Sequence, residues 1–81
     1  MNNGYTVYTF YTDEGTRFFT NKADAIKAGL KYLEEVDYID KIEIERCRTV
    51  PINLQSLISI LSHDGGQWCA SSETCQVIWR K

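Results

Sequence analysis

The chain has 81 residues, 43% of them hydrophobic and 25% charged, and its 9 basic and 11 acidic residues leave a net charge of −2. That length supports one domain, residues 1–81, with one core that hides only about 60% of the surface of the unfolded chain. The composition excludes a disordered or fibrous chain, and the interspersed charges exclude both a strongly basic polyanion binder and a dense carboxylate mimic of nucleic acid. No run approaches the roughly 20 apolar residues of a membrane span, and the start Met1-Asn2-Asn3-Gly4 has no basic or apolar region of a signal peptide. A cytoplasmic protein without a membrane partner is therefore expected. Cys47, Cys69 and Cys75 are an odd number, so reduced thiols are expected, with Cys69 and Cys75 able to pair on oxidation.

Tyr5 to Tyr11 consists only of β-branched and aromatic residues and stops at Thr12-Asp13-Glu14-Gly15, which reads as a strand and a turn. Gly15 can supply a positive φ there, and Thr16 to Thr20 returns as the second strand of an antiparallel hairpin. Asn21 is a favoured helix N-cap with Asp24 at the third helical position, and Ile26, Leu30 and Leu33 follow at helical spacing, predicting a helix over about 21–36. Its expected apolar stripe is Ala25, Ile26, Gly29, Leu30, Leu33 and Val36. Gly29 costs about 1 kcal/mol in a helix relative to Ala, which close approach to a sheet would offset.

From Ile39 to Cys47 apolar and charged residues alternate, predicting a strand with Ile42 and Ile44 inward and Lys41, Glu43 and Glu45 outward. Pro51 marks a boundary. Leu54, Leu57, Ile58 and Leu61 then predict a second helix over about 53–63, capped by Gly65 or Gly66. The tail holds Gln67 to Ala70, a polar break Ser71-Ser72-Glu73-Thr74, and Cys75 to Trp79. It reads as a hairpin or as a loop with one final strand, the hairpin being the expected form. The fold class is thus α+β: a mostly antiparallel sheet of four to five strands with two helices, in the order ββαβα followed by a C-terminal strand or hairpin.

Catalytic patterns are sparse. His63 is the one histidine and lies next to Asp64 near Cys69 and Cys75, but adjacent residues make poor orienting pairs, and a cation at a helix C-terminus is ordinary dipole chemistry. Cys47, His63, Cys69 and Cys75 are zinc-type ligands without the close spacing of a zinc knuckle. The glycines form no phosphate-binding motif, and the paired carboxylates Asp13-Glu14, Glu34-Glu35 and Glu43/Glu45 read as solvated charge. Neither an enzyme nor a cofactor or metal is expected. Nucleic acid is not the expected partner either: Arg17, Arg46, Arg48, Arg80 and Lys81 could cluster, but the aromatic first strand carries no cation.

Tyr5, Val7, Thr9 and Tyr11 point to one side of the first strand and Thr6, Tyr8 and Phe10 to the other, so aromatics occupy both faces. If both helices share one face, an aromatic patch stays open; if the helices divide the faces, or Trp68 and Trp79 fold over the second, it closes. Tyrosine, tryptophan and arginine are enriched at interface hot spots. The expected partner is therefore a larger protein or protein complex, with Tyr5, Tyr8, Tyr11, Arg17, Glu43 and Glu45 as the partner-binding residues and a homodimer as an alternative. The passage Phe18-Phe19-Thr20-Asn21-Lys22-Ala23-Asp24-Ala25, within a small acidic chain, resembles small phage and mobile-element proteins of the anti-CRISPR type. That resemblance implies a non-enzymatic inhibitor of a bacterial defence complex; the alternatives are a nucleic-acid-binding or regulatory module and a homodimeric structural protein.

Overall fold

The computed structural model describes residues 4–62 and 68–80. The elements are β1 (Thr6–Thr12), β2 (Gly15–Phe19), α1 (Lys22–Glu35), β3 (Lys41–Thr49), α2 (Leu54–Ser62) and β4 (Cys69–Trp79). All strand pairings are antiparallel, and the four strands lie in the order β2-β1-β3-β4. The α+β class, the first hairpin and both helices stand where the sequence patterns put them.

The hairpin turn uses Gly15 at φ +124, a conformation that costs other L residues Cβ contacts. Helix α1 begins as its cap predicts. Asn21 Oδ1 accepts from the Asp24 amide at 2.8 Å, while Asn21 Nδ2 donates to the Asp24 carboxylate at 3.0 Å. The buried stripe differs by one position from the expected one. Tyr32 is buried beside Ala25, Gly29 and Leu33, whereas Leu30 is exposed. Tyr32 gains from this rotation because its ring meets Phe10 at 6.1 Å between centres and carries the Arg17 guanidinium over its face.

The core lies between α1 and one face of the sheet, where Phe10, Ile42, Ile44 and Ile78 meet Ala25, Tyr32 and Leu33. Gly29 sets how close the helix comes. A Cβ there would sit 3.3 Å from both Ile42 Cγ2 and Ile78 Cδ1. The helix C-terminus has no basic residue in its last turn, and Arg80 supplies that charge from the far end of the chain. Its guanidinium donates to the Leu33 carbonyl at 2.7 Å, to the Ile39 carbonyl at 2.9 Å and to the Val36 carbonyl.

The C-terminal segment forms one strand, not a hairpin. Ser71-Ser72-Glu73 pair in register with Arg48, Cys47 and Arg46, and two register shifts, between Ile44/Glu45 and Arg48/Thr49, absorb the irregular spacing. The polar run is a strand because β3 offers it a complete ladder and Glu73 an arginine partner, tertiary terms that outweigh its turn-like composition. Among the described residues helix α2 packs on no other element and has no buried residue, and the molecule is 44 Å long. The radius of gyration is 14.0 Å, against about 12 Å for a globular chain of this length. The expected Gly65 or Gly66 cap lies outside the described residues.

Two substitutions test this packing. Gly29→Val forces a branched side chain into the 3.3 Å gap and is expected to cost about 2 kcal/mol. The urea midpoint should fall with an unchanged m-value; an unshifted midpoint would show that α1 does not pack this closely. Arg80→Ala removes the donors of two carbonyls at the end of α1, Leu33 and Val36, and of the Ile39 carbonyl in the loop that follows, and is expected to cost about 1–2 kcal/mol in the same measurement.

Candidate functional site

Strand alternation and the pairing registers assign every side chain of the sheet to a face. On the α1 side lie Tyr8, Phe10, Arg17, Phe19, Ile42, Ile44, Arg46 and Arg48; on the outer side lie Tyr5, Val7, Thr9, Tyr11, Phe18, Glu43, Glu45 and Cys47. Each face is half covered. Helix α1 covers the end of its face that holds Ile42 and Ile44. On the outer face the buried residues are instead Thr9, Cys47 and Thr49, at the other end of β3. Trp68 is the cover there that can be named: its backbone carbonyl accepts from the Val50 amide at 2.8 Å, and its indole meets Phe18 edge-on with ring centres 5.2 Å apart.

The uncovered half of the outer face is aromatic. Tyr11 is 67% exposed and Trp79 61%, whereas Phe18, 54% exposed, pairs with Thr9 on the covered half and packs against Trp68. Tyr11 pairs with Thr16 on β2, and Glu43 pairs with Val77 on β4, so these residues form one row across the sheet. In the next row Lys41 pairs with Trp79, its ammonium 5.1 Å from the ring centre and 3.7 Å from the Glu43 carboxylate. Tyr11, Lys41 and Glu43 share a shallow cavity of about 310 Å³ with Asp13 and Tyr32. The Glu45 carboxylate, followed by partial burial, pushes the Tyr11 phenol above its ordinary range, which places the two side chains together on this face. At the edge of the same site the Tyr38 hydroxyl donates to Asp13, tying the hairpin turn to the loop before β3; these bonds to Asp13 and Tyr32 push the Tyr38 phenol well above its ordinary value.

Four of the six expected partner-binding residues share the outer face. Tyr11, Glu43 and Glu45 belong to the open half, and Tyr5, 57% exposed, lies at the opposite end, where its backbone pairs with Thr49. Tyr8 and Arg17 lie on the other side: Tyr8 is half-buried against the core and Arg17 sits over Tyr32. Trp79, which the sequence offered as a cover for the second face, and Lys41 complete the patch and were not among the expected partner-binding residues. Trp79 and Lys41 are 38 residues apart, and only the β3–β4 register brings them into contact.

The arginines do not converge. Arg80 caps α1, Arg17 covers Tyr32, and Arg46 is ion-paired with Glu73. Only Arg46 and Arg48 are neighbours, in a cleft of about 400 Å³ with Thr6 and Ser71. Among the described residues this makes no continuous basic groove. Lys81 and His63 lie outside the described residues, so the His63 pairings are not placed.

Cys69 and Cys75 stand in one extended strand, about 20 Å apart at strand spacing, far beyond the ~7 Å Cα separation a disulfide spans. They cannot pair with each other in this fold. Burial pushes the Cys47 thiol up, partly offset by its 3.6 Å contact with the Thr9 hydroxyl. Comparisons with protein-family models, with curated proteins and with solved structures return no match.

Thiol labelling of the folded protein tests the placement. Cys69 is exposed, Cys75 half-buried and Cys47 buried, so they are expected to react in that order, Cys47 at least about tenfold more slowly than Cys69. Equal rates measured by mass spectrometry would contradict this arrangement.

Proposed function

We propose that this chain is a non-enzymatic protein-binding module that docks a larger protein through the open half of its outer sheet face. The observation that carries the reading is the exposure of Tyr11 and Trp79, with Lys41 and Glu43 between them, on one rigid sheet. Rings held by a hydrogen-bonded ladder offer much contact area for little lost conformational freedom, as binding hot spots do. Lys41, Glu43 and Glu45 stand among them with both signs of charge, which suits orientation of a partner better than long-range attraction. The partner surface that fits has an apolar pocket for Trp79 with basic groups facing Glu43 and Glu45.

The specific form of this reading, an inhibitor of a CRISPR-type defence complex encoded by a phage or mobile element, rests on the resemblance of the 18–25 passage alone. Binding to purified CRISPR-type effector complexes by biolayer interferometry, together with their target-cleavage rates, tests both levels. The double variant Tyr11→Ala/Trp79→Ala is expected to weaken binding at least about 100-fold, and Arg48→Ala, on the other face, to change it less than about twofold. Unchanged affinity in the folded double variant overturns the site, and the absence of binding to any such complex overturns the inhibitor form.

A further inference from the structure

We infer that two copies of this chain associate by reciprocal exchange of α2, each helix lying on the open outer face of the other copy's sheet. The inference rests on the proposed docking face and names a second occupant for it. Among the described residues two apolar surfaces stand exposed. One is the face around Tyr11 and Trp79; the other is the α2 stripe, with Leu54 75%, Leu57 42%, Ile58 55% and Leu61 74% exposed. The α2 spacing of three, four and seven residues forms a single stripe, the pattern of a helix that packs on a surface. Yet among the described residues α2 packs on no other element of its own chain.

The root of α2 explains why it does not close over its own sheet. Ser56 Oγ donates to the Pro51 carbonyl at 2.7 Å and accepts from the Asn53 amide at 3.0 Å, while Asn53 Oδ1 accepts from the Ser56 amide at 2.9 Å. Just before it, the Val50 amide is bonded to Trp68, which joins the two stems of the α2 segment. These bonds cap the first turn of α2 and tie its stem to the end of β3. The helix projects from the end of the sheet that holds Thr49 and Cys69, and the open patch lies toward the end that holds Lys41 and Trp79. A twofold axis across the strands places the α2 end of one copy over the open half of the other, so one operation satisfies both surfaces twice.

Area and charge agree with a second copy. The exposed Tyr11 and Trp79 rings offer roughly 300 Å² and the α2 stripe roughly 400 Å². Neither alone reaches the ~600–1,000 Å² per partner of a stable interface, and together they do. Helix α2, Leu-Gln-Ser-Leu-Ile-Ser-Ile-Leu-Ser, carries no charge, so it meets Lys41, Glu43 and Glu45 without like-charge repulsion.

Sedimentation velocity over a concentration series tests the proposal. The wild-type chain is expected to move from a 9.4 kDa monomer to twice that mass with rising concentration. Leu57→Glu/Leu61→Glu removes no buried contact, and should leave the circular dichroism unchanged while weakening association at least about tenfold. Tyr11→Ala/Trp79→Ala should do the same. Mixing the two monomeric variants is decisive. In reciprocal exchange, the intact α2 of one and the intact face of the other restore one of the two contacts, and a heterodimer forms. A mixture that stays monomeric overturns the exchange, and so does a Tyr11→Ala/Trp79→Ala variant that still dimerises by itself, the behaviour expected if α2 pairs with α2. A wild-type chain that is monomeric at every concentration also overturns it. The docking face would survive that result if Tyr11→Ala/Trp79→Ala still abolishes effector binding while the α2 variant does not.

Discussion

One helix approaching one face of the sheet is the constraint from which the rest of this structure follows. Gly29 lets α1 come within van der Waals contact of Ile42 and Ile78, and the apolar core lies in that contact. A chain of this size has the material for one such layer and little more. Arg80 then links the end of β4 to the end of α1 by donating to the carbonyls of Leu33 and of the cap residue Val36, and to Ile39 in the loop beyond. The last strand and α1 therefore hold each other in place.

With α1 committed to one end of one face, the outer face depends on smaller pieces. Trp68 packs against Phe18 at the end where Thr9 and Cys47 are buried, and Tyr11 and Trp79 at the other end stay in contact with solvent. The burial pattern of β3 records the division. Ile42 and Ile44 are buried on the helix side, and Cys47 and Thr49 on the outer side, within one regular strand. Exposed rings on a hydrogen-bonded sheet are uncommon in a chain without a partner, and so are four exposed aliphatic side chains on a helix with no tertiary contact. Both surfaces carry a cost in water that association would remove.

Much of the local architecture was legible in the sequence because it follows from short-range physics. The aromatic hairpin with Gly15, the Asn21 cap with Asp24, and the alternation that buries Ile42 and Ile44 each depend on residues within a few positions. The readings that failed involve distant partners. Ser71 to Glu73 looked like a turn and became a strand because β3 lies beside them. Tyr32 displaced Leu30 from the core because Phe10 and Arg17 meet its ring. The expected partner-binding residues lie on both faces of the sheet: Glu43 and Glu45 were read as outward and Tyr11 as sharing a side with Thr9, but parity alone gives no sign of which face a helix will cover. Tyr8 and Arg17 went to the covered side with the core.

The sequence by itself determined the kinds of element, their order, the cap of α1 and the placement of aromatics on both sides of β1, since periodicity and propensity are local properties. Only the tertiary structure decided which face remained open, that Trp79 and Lys41 join Tyr11 there, and that α2 stands apart from the sheet. Those outcomes depend on strand order and on the depth to which one helix can pack, and both are set by contacts between residues far apart in the chain.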